Sequence, residues 1–427
     1  MSVNKLSVLI VGAAMLASAA AAQTIAITNA KAWTGTGQGT VEGATLIIVD
    51  GEIAEVRTSN GALPSEADVI DAGGNWVTPG IISAMSTTGL SEVSGEGDTN
   101  DSSAGGSDYS IALRAADGFN PAASSVDATR IEGVTRIVVA PNTGSDIFAG
   151  QGFIADTSGT LDSVTDTAAF VYVRLGEAGA DLAGGSRPAA WARLRAAMND
   201  ARTFPARYLA HNEGDALTRV DALAFAPAAR GQQLILVQAH RASDILRVIE
   251  LARGSEELNI AIAGADEGWM VADALAEAKI PVIIDPFQNL PASFQQLGAT
   301  SRNAERLIEA GVITAFAHFD FNSHQARLVL QSAGNAVANG VDHDDALAAI
   351  TVVPALVFGL DGYGTIEPGA RADLVIWDGD PLEVMSAPTH VFIDGEAQSL
   401  ESRQTRLRDR YLGLEHSEMP FAYKRPE

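Results

Sequence analysis

The feature that most constrains the fold is the contrast between the two ends of the chain and its middle. Both ends contain short β-strand patterns, at residues 24–28, 44–49, 52–56, 373–377 and 390–393. The middle alternates apolar strand-like runs with helical segments, which is the pattern of a parallel sheet wound with helices. We therefore expect a composite β-sandwich of residues 23–78 and 358–398, together with an α/β barrel of residues 79–357.

Eight apolar runs in the middle are predicted to be the barrel strands. They are residues 76–84, 134–140, 152–156, 168–175, 233–239, 259–264, 281–285 and 312–319. Helices are expected at 241–253 and 301–310, and Ser243 and Asp244 offer the first of them an N-cap if it starts a turn late. Residues 91–127 are rich in Gly, Ser, Asp and Asn, and we expect this insertion to lie over the carboxyl-end mouth of the barrel.

Asp-Gly pairs indicate hairpin turns near both chain ends. Asp50 and Gly51 tolerate the positive φ that a type I′ turn requires, and the same pair recurs at 378–379 and 394–395. Beyond the last of these turns, residues 399–427 are predicted to form a charged helix and a polar tail.

Residues 1–22 have the pattern of a secretory signal peptide. Lys5 is their only charge, residues 6–17 are mostly apolar, and three alanines precede Gln23. A membrane-spanning anchor is the alternative, but the apolar run is shorter than the roughly 20 residues that a bilayer requires. We expect a mature periplasmic or secreted chain that begins at Gln23 and has no membrane partner after cleavage.

The composition excludes several kinds of site. With 28 basic and 53 acidic residues, the net charge is −25, so nucleic acid and anionic lipid are repelled. The chain has no cysteine, which excludes disulfides, Cys-ligated zinc and a thiol nucleophile. A small molecule is the expected partner, and a homo- or hetero-oligomer is left open.

Residues 78–89 read TPGIISAMSTTG, a Pro-Gly followed by an apolar run. This segment resembles the first barrel strand of the amidohydrolase superfamily, where the run leads into a metal-binding His-x-His pair. Met85 and Thr87 occupy those two positions here. A thioether and a hydroxyl are poor ligands for Zn²⁺, so the segment predicts the fold without the usual metal motif.

Other segments extend the likeness to the imidazolonepropionase-related branch of that superfamily. They are ITNA at 27–30, DGFNP at 117–121, GQG at 150–152, HRASDI at 240–245 and GTIEPG at 364–369. The resemblance implies a (β/α)₈ barrel with a composite β-sandwich. It also implies metal-assisted hydrolysis of a C–N bond in a cyclic amide, an imide or a dipeptide-like substrate.

The family places its metal ligands at the carboxyl ends of the barrel strands. Carried over to this chain, the fourth-strand position falls on Tyr172 or Glu177. The fifth strand offers His240, although Gln238 could occupy the ligand position instead. The histidine expected on the sixth strand falls on Gly264.

A relocated metal site would use the remaining donors near these strand ends. Asp266 and Glu267 follow the sixth strand, and His318 and Asp320 lie at the end of the eighth. Asp320 is the candidate catalytic proton shuttle, with His318 as its partner. His240 and Glu267 are the tentative metal ligands. The plainer alternative makes His240 a mouth histidine hydrogen-bonded to backbone and turns His318 towards the helices.

Two functions of different classes follow from these residues. One is an amidohydrolase-like enzyme with a depleted metal site that has no cofactor or binds zinc at low occupancy. The other is a non-catalytic relative that binds a ligand in the barrel mouth or associates with an active homologous subunit.

Overall fold

The computed structural model describes residues 23–58, 61–93, 95–209, 214–254, 258–319 and 323–412. Its strands form two sheets, one built from both ends of the chain and the other from the middle. Across these ranges, no helix combines the length and the apolar character needed to cross a bilayer. The predicted signal peptide lies outside the described residues, and the domain bounds inferred from the sequence stay predictions.

The first sheet joins the two chain ends through pairing between β5 and β14. Its strands are β1 (Thr24–Trp33), β2 (Thr40–Val49), β3 (Glu52–Arg57), β4 (Asp68–Asp71), β5 (Trp76–Pro79), β14 (Leu374–Trp377), β15 (Pro388–Ile393) and β16 (Glu396–Ala397). Their order is β16-β15-β14-β5-β1-β2-β3, with β4 paired to β1. Val77 pairs with Ile376, so residues far apart in sequence share one ladder.

Two of the three predicted Asp-Gly turns are hairpins. Asp50 and Gly51 have φ of 50° and 81°, and Asp394 and Gly395 have 48° and 80°, as a type I′ turn requires. The prediction at 378–379 was wrong, because β14 pairs with Pro388 across a longer loop. The Asp378 carboxylate accepts a hydrogen bond from the Ala387 amide at 2.7 Å, which joins the two ends of that loop.

The second sheet is a nearly closed eight-stranded barrel. Its strands are β6 (Ile81–Ser86), β7 (Val134–Val139), β8 (Phe148–Asp156), β9 (Val164–Arg174), β10 (Leu234–Ala239), β11 (Ile260–Gly264), β12 (Val282–Ile284) and β13 (Thr314–Phe316), and they are ordered by sequence. The seam between β6 and β13 is bridged by the segment at 349–350. The Ile82 amide donates to the Ile350 carbonyl, and the Phe316 amide donates to the Ala349 carbonyl, both at 2.8 Å.

The expectation of an all-parallel barrel was wrong at one strand. β8 runs antiparallel to both β7 and β9. The connections on either side, residues 140–147 and 157–163, are too short for the crossover of a dozen or more residues that parallel neighbours need. The remaining neighbouring strand pairs of the barrel are parallel.

Most of the helices cover the outside of the barrel, but Ala355 and Phe358 of one helix pack against the interior core of the barrel. The helices are α1 (Ser124–Arg130), α2 (Gly176–Leu182), α3 (Arg187–Thr203), α4 (Arg219–Ala229), α5 (Ala242–Arg253), α6 (Ala272–Ala278), α7 (Asn303–Glu309), α8 (Val329–Ala338), α9 (His343–Ala348), α10 (Val352–Phe358) and α11 (Arg403–Leu412). Short 3-10 helices lie at Gly97–Thr99, Ala115–Gly118, Ala206–Leu209, Gly268–Val271, Phe294–Gln296 and Ser323–Leu328.

The helix predicted at 241–253 does not start a turn late, so the conditional N-cap at Ser243 and Asp244 is not formed. α5 starts at Ala242, so Ser243 and Asp244 lie inside its first turn. The amide of Ala242 donates instead to the Glu267 carboxylate at 3.0 Å. A side chain from another strand end therefore satisfies an N–H group that the helix leaves free.

Alternation along each barrel strand separates two cores. Phe170 and Tyr172 on β9, and Leu234 and Leu236 on β10, pack together in the barrel interior. The intervening residues face a larger core between strands and helices. A third core lies within the sheet built from both chain ends. This parity determines which side chains at the strand ends point into the mouth.

Candidate active site in the barrel mouth

A cavity of about 110 Å³ lies at the carboxyl ends of the barrel strands. It is lined by Met85, Ser86, Thr87, Ala140, Asn142, Tyr172, Arg174, Gln238, His318 and Phe319. The insertion after β6 reaches its edge, where the Asn142 amide donates to the Ser102 carbonyl at 2.6 Å. A larger cavity of about 680 Å³ lies at the opposite end of the barrel, and Asp166 is the only charged residue in its described lining.

Arg174 places a positive charge in the mouth. Phe170 and Tyr172 point into the barrel, and Arg174, two residues further along β9, points the same way. It lies beside Gln238 in the β9–β10 ladder. Its Nε donates to Oε1 of Gln238 at 2.6 Å, and its Nη1 donates to Oγ1 of Thr143 at 3.1 Å. Among the described residues, no carboxylate forms an ion pair with this guanidinium. Its Nη2 is therefore free to bind a ligand oxygen.

Most of the positions where the resemblance places a metal ligand carry a poor donor. Met85 and Thr87 offer a thioether and a hydroxyl, and Gln238 offers a neutral amide. Burial raises the pKa of Tyr172 to about 12, which keeps its phenol protonated at neutral pH. Gly264 has no side chain.

The described residues also lack a group of three or more His, Cys, Asp or Glu that could hold a metal ion. Arg174 would repel a divalent cation in the same cavity. This donor set does not fit the family's metal.

His318 lines the cavity and lies against a buried carboxylate. Its Nδ1 is 3.4 Å from Oδ2 of Asp285, whose side chain is fully buried. Asp285 is held by hydrogen bonds from the amides of Phe287 and Phe319, both at 3.0 Å, and from the hydroxyl of Ser332 at 3.3 Å. Oγ of Ser332 also lies 3.4 Å from Nδ1 of His318, so the hydroxyl and the carboxylate together face the Nδ1 side of the imidazole and leave Nε2 available for chemistry.

Neither Arg174 nor Asp285 was predicted from the sequence as a site residue. The predicted partner of His318, Asp320, lies outside the described residues, and its catalytic role stays a prediction. Asp285 ends a predicted barrel strand, so its place at the mouth was the signal that could have found it. The signal for Arg174 was its two-residue spacing from Tyr172.

The other predicted site residues are engaged beside the mouth. Nδ1 of His240 contacts the carboxylate of Asp266, which also accepts a hydrogen bond from Nε2 of Gln296 at 3.1 Å. Glu267 accepts from the amides of Ala242 and Gly298 at 3.0 and 2.9 Å. His240 and Glu267 do not line the described cavity, and their roles as metal ligands stay predictions.

Glu177, the other fourth-strand candidate, lies on α2 rather than at the mouth. Its carboxylate is 3.9 Å from Nη2 of Arg187. Of the two candidates, only Tyr172 lines the cavity.

Comparison with known proteins places these residues in a family context. The model of the Amidohydrolase family matches residues 183–398. Amidohydrolase tasK of Hapsidospora irregularis is 23% identical over 369 residues, which cover 79% of this chain and 38% of that protein. The chain therefore spans well under half the length of this curated relative.

Solved structures support the same fold. An amidohydrolase from Thermotoga maritima MSB8 is 25% identical with a TM-score of 0.78, over 87% of this chain and 99% of that one. A prolidase crystallised with N-methylphosphonate-L-proline is 16% identical with a TM-score of 0.54, over 88% of this chain and 99% of that one. The second likeness concerns the fold alone.

Proposed function

The chain belongs to the amidohydrolase family, which supports a hydrolase function, and we propose that it hydrolyses a C–N bond in the barrel mouth without a divalent metal. The proposed substrate is a small cyclic amide, an imide or a dipeptide-like molecule. The observation that carries the proposal is that a guanidinium and a carboxylate-oriented imidazole line one cavity.

The proposed reaction uses the charge of Arg174 where relatives would use a metal. Arg174 donates a hydrogen bond to the substrate carbonyl oxygen and stabilises the negative charge that develops there. His318 removes a proton from a water molecule, whose oxygen then bonds to the carbonyl carbon. Asp285 orients the imidazole and stabilises its protonated form.

The second half of the reaction returns the proton. When the tetrahedral intermediate collapses, His318 gives its proton to the leaving nitrogen and the C–N bond breaks. The products are a carboxylic acid and an amine, or one ring-opened molecule that carries both groups. No step requires an oxidant, a cofactor or a second substrate besides water.

The test is to treat the protein with a chelator and assay it with a panel of small cyclic amides, imides and dipeptides. We expect turnover to persist without metal and to fall about 100-fold or more in His318→Gln, as removal of a general base predicts. Arg174→Met should lower kcat as well. The matched control is His324→Gln, because His324 is exposed and does not line the described cavity.

Two results would contradict the proposal. Activity that disappears with the chelator and returns with Zn²⁺ would restore the metal-dependent hypothesis. Turnover that is unchanged in His318→Gln would exclude the imidazole as the base.

A second candidate function is non-catalytic binding in the same cavity. It is favoured by Met85 and Thr87 at the positions of the missing histidines, and by an Arg174 fork that could anchor a ligand carboxylate. Binding would then be measurable without turnover, lost in Arg174→Met and retained in His318→Gln. Association with an active homologous subunit remains part of this candidate, since the tasK relative is long enough to contain a second unit of this size.

A further inference from the structure

A groove of about 620 Å³ runs along the outside of the barrel between α3 and α5. Arg187, Trp191 and Arg195 repeat every four residues on α3, so their side chains share one face of the helix. Arg247 and Leu251 line the groove in the same way from α5, and the residue before that helix, Arg241, lies at one end. The groove is separate from the mouth cavity, with which it shares no lining residue.

Four arginines make this groove positive in a strongly acidic chain. Against them the lining has two carboxylates, Asp244 and Glu250, while the whole chain carries a net charge of −25. Asp244 binds Nε of Arg187 at 2.9 Å and lies 3.6 Å from Nη2 of Arg241. Glu250 pairs with Arg247. Even with Glu177, which is outside the lining and whose carboxylate lies 3.9 Å from Arg187, three acids do not neutralise four guanidinium groups.

Two of the arginines retain unused donors. Within the described chain, Arg195 has no carboxylate partner. Nη2 of Arg187 is buried without a hydrogen bond, and the oxygen of Glu177 is 3.9 Å away. A buried donor without a partner costs free energy, which a carboxylate entering the groove would recover.

The groove also offers apolar contact. Half-buried Trp191 lies between the arginines of α3, and Pro188 and Leu251 add apolar surface. Tryptophan and arginine together are the residues that most often dominate binding energy at protein interfaces. The ligand that suits this surface carries carboxylates and at least one apolar side chain.

We propose that this groove binds an acidic peptide segment of a partner protein. Aspartate or glutamate side chains of the segment pair with Arg187, Arg195 and Arg247, and an apolar side chain packs on Trp191. A long polyanion is disfavoured by the charge of the rest of the chain and by the carboxylates inside the groove. A single small anion would leave the apolar surface uncovered.

The probe is a fluorescein-labelled peptide of glutamates around one leucine, with binding followed by fluorescence anisotropy at low salt. The variants are Arg195→Glu and Arg247→Glu, and we expect each to raise the Kd about tenfold or more. A peptide with glutamine in place of glutamate should not bind. Raising the salt to about 0.5 M should weaken the complex, since exposed charges are screened.

Arg253→Glu is the matched control variant. Arg253 lies on the same helix, α5, is exposed and pairs with Glu277, but does not line the groove. We expect its Kd to stay within about twofold of the wild-type value. Equal melting temperatures of the three variants would show that they fold alike.

The proposal is overturned by any of three results. These are no peptide binding at about 1 mM in low salt, equal weakening by Arg253→Glu, and saturating binding of inorganic phosphate or heparin while the peptide does not bind. None of these results depends on turnover in the mouth, so they leave the proposed hydrolase activity untouched.

Discussion

At Gly264, where the resemblance places the ligand of the sixth strand, the structure leaves no room for a side chain. Gly264 ends β11 with φ of 99°, and a Cβ built there would lie 2.6 Å from Cε1 of His240. The imidazole of His240 therefore fills the space that a ligand side chain at 264 would need. A histidine introduced at this position would require the ring of His240 to move first.

We expect Gly264→Ala to destabilise the fold by about 2 kcal/mol or more, since it combines overpacking with a backbone conformation that L-residues rarely adopt. The measurement is the free energy of unfolding in urea. Gly369→Ala is the matched control, because Gly369 has a similar φ of 90° and nothing within 4 Å of its ideal Cβ.

Both alanine variants should lose stability through backbone strain, but only Gly264→Ala also contacts His240. The difference between their free energies of unfolding therefore measures the cost of that contact. His240→Ala relieves that contact but also removes the contact with Asp266, so the quantity to compare is its cost in the two backgrounds, which should be smaller in Gly264→Ala than in the wild type. If both glycine substitutions cost the same, the steric explanation fails.

At the scale of elements, the sequence predicted the order of the barrel strands but not their directions. Apolar runs located all eight, because a buried strand needs continuous hydrophobic residues whichever way it runs. The first run, 76–84, also took in residues 76–79, which form β5 of the other sheet. Direction depends on the connections, and the short links around β8 reverse it. The mouth was harder to predict, because Arg174 and Asp285 are recognised only once the inward parity of their strands is known.

An ion pair between α9 and the loop after β14 gives stability a pH dependence. Nε2 of His343 lies 3.0 Å from both carboxylate oxygens of Asp380, and its ring packs 5.5 Å from that of Trp76. The hydrogen bond to Asp380 raises the pKa of His343 above 6.5. Burial acts to raise the pKa of Asp380, but hydrogen bonds from His343 and from the Leu382 amide outweigh it, so that pKa lies below its usual value.

The direction in which stability changes with pH follows from the pKa shifts of His343 and Asp380. The raised pKa of His343 contributes stability that is fully present below pH 6.5 and is lost as the pH rises through the folded-state value. The lowered pKa of Asp380 contributes stability that is lost in acid. Urea unfolding of wild type and His343→Gln should therefore differ more at about pH 6 than at about pH 9.

His390→Gln is the control for this experiment, because the ring of His390 contacts Thr389 and Phe392 and has no carboxylate partner among the described residues. If the difference in free energy of unfolding between wild type and His343→Gln does not change with pH, packing on Trp76 rather than charge accounts for the lost stability.

At the scale of the whole molecule, Arg136 joins the two sheets. It projects from β7 of the barrel and is completely buried. Its Nε donates to Asp373 at 2.8 Å, its Nη2 donates to Asp394 at 2.9 Å, and its guanidinium lies 4.1 Å from the centre of the Tyr363 ring. The acids belong to the chain end that completes the other sheet. With no disulfide available to the chain, this buried network is a main polar connection between the two sheets.

Replacing Arg136 should therefore destabilise the contact between the sheets more than an exposed ion pair would. Arg136→Met leaves Asp373 buried without its counter-charge, and removal of one partner of a buried pair costs about 3–5 kcal/mol. Guanidinium unfolding is the measurement, with Arg57→Met as the control, because Arg57 pairs with Glu55 at the surface of β3. The double variant Arg136→Met with Asp373→Asn should lose less than the single substitutions predict together, since the two residues share one interaction. Strictly additive losses would mean that the pair does not couple the barrel to the sheet formed by the chain ends.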